Sequence, residues 1–395
     1  MKKRILSLAL ALCLVLCAAV PALAAEPDGV LRFDENGEFK ILHMTDCQDG
    51  YPARTEMLTY INYMLDIYEP DLVVLGGDNC VCEGKYKQPA IAELVKPYVD
   101  RGIYFTLVFG NHDHEQGVDE ETLLSYYLQA GGKYCLAYDA VPSLSGTATH
   151  NLPVYGTDGK IKFNVWLFDS GAYVHENDDE SAPRLGYDCV RPDQIEWYKE
   201  TYEDLKKEAG ADVPSMAFQH IVVGDVYYAM FPSSPFELSP ITETHNGGEN
   251  YAIIFPNTSI FKGHIYEPPA AGYYNHGQFD AMVETGDVLA IYCGHDHINS
   301  YELEYKGIDI INTPGCTFNA YGNEIVRGSR LITINENAPE DYVNEVITVN
   351  ELALENSEFA EAMGISPIKA GFWVFMDKFL LGLKNASAIF AAIIY

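Results

Sequence analysis

Short apolar runs ending in polar residues alternate along this chain with stretches whose apolar residues recur every three or four positions. Residues 38–45 read as a strand running into Asp46. Met57, Tyr60, Ile61, Met64, Leu65 and Tyr68 then recur at helical spacing until Pro70 stops the pattern. The next strand, Leu72 to Leu75, is wholly apolar, as a strand covered on both faces must be, and it delivers Gly76, Gly77 and Asp78. The unit repeats: a helix over roughly 88–100 precedes a strand at 103–109, which delivers Gly110, Asn111 and His112. Further strands are predicted at 163–168, 215–218, 288–293, 300–305 and 308–311, with a helix at 194–207. This alternation implies a layered α/β domain, and in such sheets ligands bind beyond the carboxyl ends of the strands.

Three segments break the pattern. Residues 224–284 are rich in proline, glycine, tyrosine and asparagine with little periodicity, so long loops are expected there. They are either a roof over the site, with His264 and His276 as candidate substrate contacts, or a plain surface insertion. The chain opens with Lys2, Lys3 and Arg4, an apolar run to Val20 and the small residues Ala22 and Ala24, which predicts a signal peptide over residues 1–24 and a secreted or cell-envelope protein. A catalytic domain is then expected over 25–350 and a helical tail over 351–395. The tail's end, 371–395, is apolar with Asp377, Lys378 and Lys384 interspersed; it reads as an amphipathic helix docked on the domain, or as a membrane-surface or oligomer contact.

Composition narrows the partners. The formal charge is −32 and becomes −35 once the three basic residues of the leader are removed. Such a surface repels phosphate backbones, which excludes bulk nucleic-acid binding and leaves a small phosphoester or nucleotide as the candidate ligand of a local metal site. Seven cysteines remain outside the leader, an odd number whose scattered placement spells no disulfide framework.

Five strand ends carry the candidate chemistry: Asp46-Cys47-Gln48, Gly76-Gly77-Asp78, Gly110-Asn111-His112-Asp113, His220, and Gly294-His295-Asp296-His297. Carboxylate, amide oxygen and imidazole are the ligand set of borderline divalent or trivalent ions such as Mn, Fe or Zn. A bridging carboxylate such as Asp78 could serve two ions. His295 and His297 stand two apart, so an extended backbone would point both rings to one side, each toward a different ion. His114, Asp113 and Asp296 are candidates for fixing imidazole tautomers. His43, inside the first strand, is expected in the core.

This constellation resembles the calcineurin-like metallophosphoesterase superfamily, whose motifs read Asp-x-His, Gly-Asp, Gly-Asn-His-Asp/Glu, His and Gly-His-x-His in that order. Leu167 to Gly171, Tyr274 to Asp287 and Cys293 to Asn299 are similar to its purple acid phosphatase-like, Dcr2-type subgroup. The resemblance implies a four-layer α/β/β/α sandwich of two mixed β-sheets flanked by helices. It implies two metal ions, one held by Asp46, Asp78 and His297 and the other by Asp78, Asn111, His220 and His295, with hydrolysis by a hydroxide shared between them. His112 would stabilise the developing charge or protonate the leaving oxygen. Gln48 stands where the family has histidine, so it ligates through a weaker amide oxygen or leaves the place to water. A competing expectation is a non-catalytic binding protein on the same scaffold, with the first metal site degraded by Gln48. A surface-attached structural or adhesive protein is a third, supported only by the acidic charge and apolar tail.

Overall fold

The computed structural model describes residues 31–178, 181–230 and 261–394. The expected leader (1–24) and the middle of the expected roof (231–260) lie outside the described residues.

Strands in chain order are β1 (Leu31–Arg32), β2 (Glu38–Met44), β3 (Leu72–Gly76), β4 (Tyr104–Val108), β5 (His150–Tyr155), β6 (Ile161–Leu167), β7 (Tyr173–His175), β8 (Arg184–Tyr187), β9 (Ser215–Phe218), β10 (Phe261–Lys262), β11 (Val288–Cys293), β12 (Glu302–Tyr305), β13 (Ile308–Asn312), β14 (Gly328–Asn335) and β15 (Val343–Thr348). The helices are α1 (Thr55–Tyr68), α2 (Gly84–Arg101), α3 (Glu120–Gly131), α4 (Pro192–Ala209), α5 (Val226–Met230), α6 (Gln278–Thr285), α7 (Val349–Glu355), α8 (Ser357–Ala362) and α9 (Pro367–Ile394). They make a mixed five-stranded sheet, ordered β15-β14-β2-β3-β4, and a mixed eight-stranded sheet, ordered β1-β5-β6-β9-β11-β13-β12-β10.

Alternation along the strands turns these sheets into four layers. In the smaller sheet Leu42, Met44, Val73, Leu75 and Leu107 pack against α1, α2 and α3, while Phe39, Ile41, Leu72, Val74 and Val108 face the larger sheet. In the larger sheet Phe163, Val165, Met216, Phe218, Ala290 and Tyr292 face inward, and Trp166, Ala217, Ile291 and Ile310 face α4 and α6. A run such as Leu72 to Leu75 is apolar throughout because both of its faces are covered.

Polar residues within strands hid elements from the sequence. β14 carries Arg330, fully buried, whose guanidinium donates to Glu302 and to the Asn312 carbonyl of the larger sheet; a charge in mid-run breaks the expected apolar signature. The predicted helix at 88–100 begins earlier, at Gly84, and runs through Pro89 and Pro97. The expectation of loops throughout 224–284 is corrected: α6 and the short α5 lie there, and Gly277 and Gly286 flanking α6 gave it a loop-like composition.

The C-terminal helix α9 buries Ala370 and Val374 and leaves Ile368, Phe372, Phe375, Phe379 and Leu383 exposed in one stripe. No helix among the described residues is long and apolar enough to cross a membrane.

Ile332, fully buried on β14 between the sheets and paired with Ile41, tests the sandwich. Ile332→Ala is expected to cost about 2–5 kcal/mol in urea unfolding, through lost transfer free energy plus a residual cavity. A cost below about 1 kcal/mol would mean that the two sheets do not pack there as described.

Candidate metal centre

Parallel strands from both sheets end at one seam, and every predicted ligand lies just beyond such an end. Asp46 follows β2, Asp78 follows β3, Asn111 follows β4, His220 follows β9, and His295 and His297 follow β11. Backbone bonds sew the loops together: the Asp46 amide donates to Gly77 O, Gln48 to Asp78 O and Gly294 to His220 O, at 3.0, 2.8 and 3.1 Å.

Sharp backbone turns then aim the side chains. Asp46, Gln48, Asp78 and His295 all have φ between 42° and 71°, a left-handed conformation that costs an L-residue roughly 1–2 kcal/mol. This corrects the expectation for the histidine pair. His295 and His297 lie on a turn, not an extended segment, because the left-handed His295 folds the chain back so that the Asp296 amide bonds Gly294 O. Gly77 and Gly110 allow the close approach: a Cβ on Gly77 would meet His220 Nδ1 at 2.5 Å, and one on Gly110 would meet Asp78 Oδ1 at 2.3 Å.

The side chains form two groups sharing one carboxylate, Asp46–Asp78–His297 and Asp78–His220–His295, with possible ligand atoms within 4.8 Å of one another in each. His297 Nε2 lies 3.3 Å from Asp46 Oδ1, and His220 Nε2 lies 3.4 Å from Asp78 Oδ2. Gln48 joins the first group, its amide donating to Asp78 Oδ2 at 3.1 Å and lying 3.3 Å from His297 Nε2. Asn111 Nδ2 is tied to the Tyr173 hydroxyl at 2.9 Å, which leaves its buried Oδ1 without a partner.

The donor atoms themselves show that the residues fit metal ions. Asp46 Oδ1, Asn111 Oδ1, His220 Nε2 and His295 Nε2 are all buried and lack any hydrogen-bond partner. Buried polar atoms are rarely orphaned, and here the orphans are the atoms a metal would use. The remaining ring nitrogens are held: His220 Nδ1 by Gly76 O at 2.8 Å, His297 Nδ1 by Tyr321 O at 2.9 Å. Each contact is a donor N–H to a carbonyl, which directs the lone pair of Nε2 into the site.

Electrostatics agree. Burial alone would lower the imidazoles, yet Asp78 lifts His220 to about 10 and Asp46 lifts His297 to about 9. Burial, then the neighbouring His220, holds His295 at about 3. Burial would raise Asp46 and Asp78, but His297 and His220 respectively hold both carboxyls below their usual range. The pocket therefore gathers positive charge on its own ligands, and metal binding would displace those protons.

Other expectations need correction. Asp113 accepts the backbone amides of Asn79, Cys80 and Gly110, so it shapes a loop and fixes no imidazole. Asp296 accepts the Ala270 amide instead of a ring. His264 has both ring nitrogens engaged, by Asp377 on α9 and by the Tyr266 hydroxyl. His114 pairs with Glu120 beside Asp169, which accepts the amides of Thr147 and Gly171. His276 lies near Tyr274. His43, by contrast, lies in the core as expected, edge-on to Phe218 and bonded to Thr313 Oγ1.

His112 has both a backbone and a ring role. Its amide donates to Asp78 Oδ1 at 2.7 Å, and its ring, 40% exposed, meets Glu115 Oε2 through Nδ1 at 3.0 Å. Glu115 also accepts from the Tyr173 hydroxyl at 3.1 Å. The sequence reading missed Glu115, three residues after His112, although helical-turn spacing was the available signal. Tyr173, Tyr187 and Tyr321 were also missed. Tyr187 meets the His295 ring edge-on and Tyr321 stacks on His297 at 4.1 Å, and isolated tyrosines on short strands or loops carry no spacing signal. A cavity of about 730 Å³ opens on Glu115, Tyr173, His175, Arg184 and Asp188.

Two mixed sheets whose seam buries such a donor set can hold the pair of metal ions that serves metal-assisted hydrolysis. Residues 39–229 match the model of the Calcineurin-like phosphoesterase family. It is 25% identical over 325 residues to "Probable inactive purple acid phosphatase 14" of Arabidopsis thaliana, covering 74% of this chain and 74% of that protein. It is 27% identical over 301 residues to "Phosphatase DCR2" of Saccharomyces cerevisiae, covering 69% of this chain and 46% of that one. Among solved structures, a dimetal phosphatase from Danio rerio aligns over 78% of this chain and 98% of its own, at 12% identity and a TM-score of 0.47.

Two predictions follow from the geometry. Gly110→Ala places a methyl group against Asp78, so metal content after reconstitution is expected to fall at least about tenfold in a folded protein, read by elemental analysis and circular dichroism. Full metal loading in the variant would refute the close-approach argument. The second concerns His114, which burial would lower but Glu120 lifts to about 9. A folded-state pKa above the unfolded value of about 6.5 gives stability that is complete below pH 6.5 and lost as pH rises through 9. Between pH 7 and 9.5 the Tm should therefore fall further for the parent chain than for His114→Gln, and parallel curves would exclude this contribution.

Proposed function

We propose that this protein is an exported hydrolase of small phosphoesters, monoesters, diesters or nucleotides, working with two metal ions at the Asp78 centre. The observation that carries this reading is the convergence of buried, unpartnered donor atoms from Asp46, Asn111, His220 and His295 on either side of one shared carboxylate. When bound, Mn, Fe or Zn ions in this set lower the pKa of water and neutralise phosphoryl oxygens.

The chain's own residues supply the rest. Asp46 and His297 would hold a first ion, with Gln48 beside them, and His220 and His295, with Asn111, would hold a second, Asp78 lying in both groups. Glu115 binds Nδ1 of His112, which leaves Nε2 as the nitrogen that donates a proton to the leaving oxygen. The cavity beside Glu115 and Tyr173 has room for the ester's leaving group, with Arg184 lying over the Tyr173 ring. The charge of −32 disfavours a polynucleotide substrate. Export rests on the basic and apolar pattern of residues 1–24. The exposed stripe on α9 suits a membrane surface or a second copy as an additional contact.

A second reading, a binding protein with weakened turnover, draws on Gln48 and on the word "inactive" in the name of the Arabidopsis relative. Reconstitution with Mn, Fe or Zn and assay on para-nitrophenyl phosphate and its bis-ester separates the two. Turnover is expected, with Asp78→Asn and His112→Ala each losing about 100-fold or more and Gln48→His binding the first ion more tightly. Undiminished activity in both disabled variants would dismiss the assignment. Fewer than one metal per chain with no turnover on a broad ester panel would favour binding.

A further inference from the structure

Cys47 and Cys316 are 269 residues apart in sequence, yet their Sγ atoms lie 3.5 Å apart in a fully buried position. Their placement relative to the metal centre is specific. Cys47 stands between Asp46 and Gln48, and Cys316 follows Gly315, whose amide donates to His297 O. The Cys316 amide itself donates to Thr45 O. The two thiols thus join the loops that carry the first ion's ligands from opposite sides. All seven cysteines among the described residues are free thiols.

We propose that Cys47 and Cys316 are a disulfide-forming pair, closed when the chain folds in an oxidising compartment. A disulfide needs sulfurs about 2.05 Å apart, so closure from 3.5 Å asks for a movement of roughly 1.5 Å. The oxidant is a disulfide, carried by a thiol oxidoreductase or by oxidised glutathione. The Cys47 thiolate attacks it, forming a mixed disulfide and releasing one thiol; the Cys316 thiolate then displaces the second thiol and completes the Cys47–Cys316 bond. Two protons and two electrons leave the pair, and one acceptor disulfide becomes two thiols. Because both sulfurs are buried, exchange takes place before the core closes.

The cross-link has a consequence for the metal site, and this part rests on the proposed phosphoesterase reading. Gln48 is a weaker donor than histidine, so the first ion depends more on how firmly Asp46 and His297 are held. A bond from Cys47 to Cys316 fixes both loops together and offsets the weak ligand through rigidity.

The full chain is refolded in an oxidised/reduced glutathione buffer, unfolded again, blocked with N-ethylmaleimide and digested without reduction. The expected product is a peptide pair joined through Cys47 and Cys316 and lighter by two hydrogens, with the remaining cysteines alkylated. Alkylation of both residues overturns the proposal, as does a link from either one to a different cysteine. Manganese retention is then compared between the oxidised parent and Cys47→Ser/Cys316→Ser, with an expected loss of about tenfold in affinity at the weaker site of the variant. Equal affinity overturns the stiffening role. The linked peptide is read without turnover, so a cross-linked chain that hydrolyses no ester removes the phosphoesterase reading and leaves the disulfide standing.

Discussion

Buried polar atoms without partners set the terms for this molecule. Asp46 Oδ1, Asn111 Oδ1, His220 Nε2 and His295 Nε2 are shut away from water at the seam of two sheets, where an unpaired polar group costs free energy. Ion pairs relieve part of this, with His297 Nε2 3.3 Å from Asp46 Oδ1 and His220 Nε2 3.4 Å from Asp78 Oδ2, while Asn111 Oδ1 and His295 Nε2 keep no partner. Cations at this place would satisfy the orphans and release the protons together.

The scaffold reads as the means of holding that unfavourable arrangement. Large apolar layers on both sides of each sheet fix the strand ends, and the strand ends carry left-handed residues that are costly singly. Carbonyls of Gly76 and Tyr321 orient two imidazoles, so the ligands depend on backbone geometry several residues away. Arg330, buried between the sheets and tied to Glu302 and Asn312 O, locks the smaller sheet to the larger near the loops that present His295 and His297.

The two halves of the centre differ in kind. One group sets the buried amide of Asn111 and two histidines beside the shared carboxylate, whereas the other has Gln48 where the family motif has histidine. Gln48 nonetheless sits among Asp78 and His297, buried and held by Asp78 Oδ2, so the substitution keeps the packing and changes the donor.

Much was legible along the chain because its signals are local. Apolar runs such as Leu72 to Leu75 predict buried strands from composition alone, and the polar residue after each run predicts the ligand edge. Other features depend on contacts distant in sequence. β14 escaped notice because Arg330 is compensated by Glu302 and Asn312 O from another sheet. Glu115, Tyr173 and Tyr321 gain their places from segments that only meet after folding. The sequence by itself determined the layered α/β plan, the order of the ligand-bearing strand ends and the donor types, since periodicity and residue chemistry are local properties. Tertiary structure alone decided how His295 and His297 turn, which carbonyls hold the imidazoles, and that Cys47 meets Cys316, because those depend on backbone torsions and on proximity across hundreds of residues.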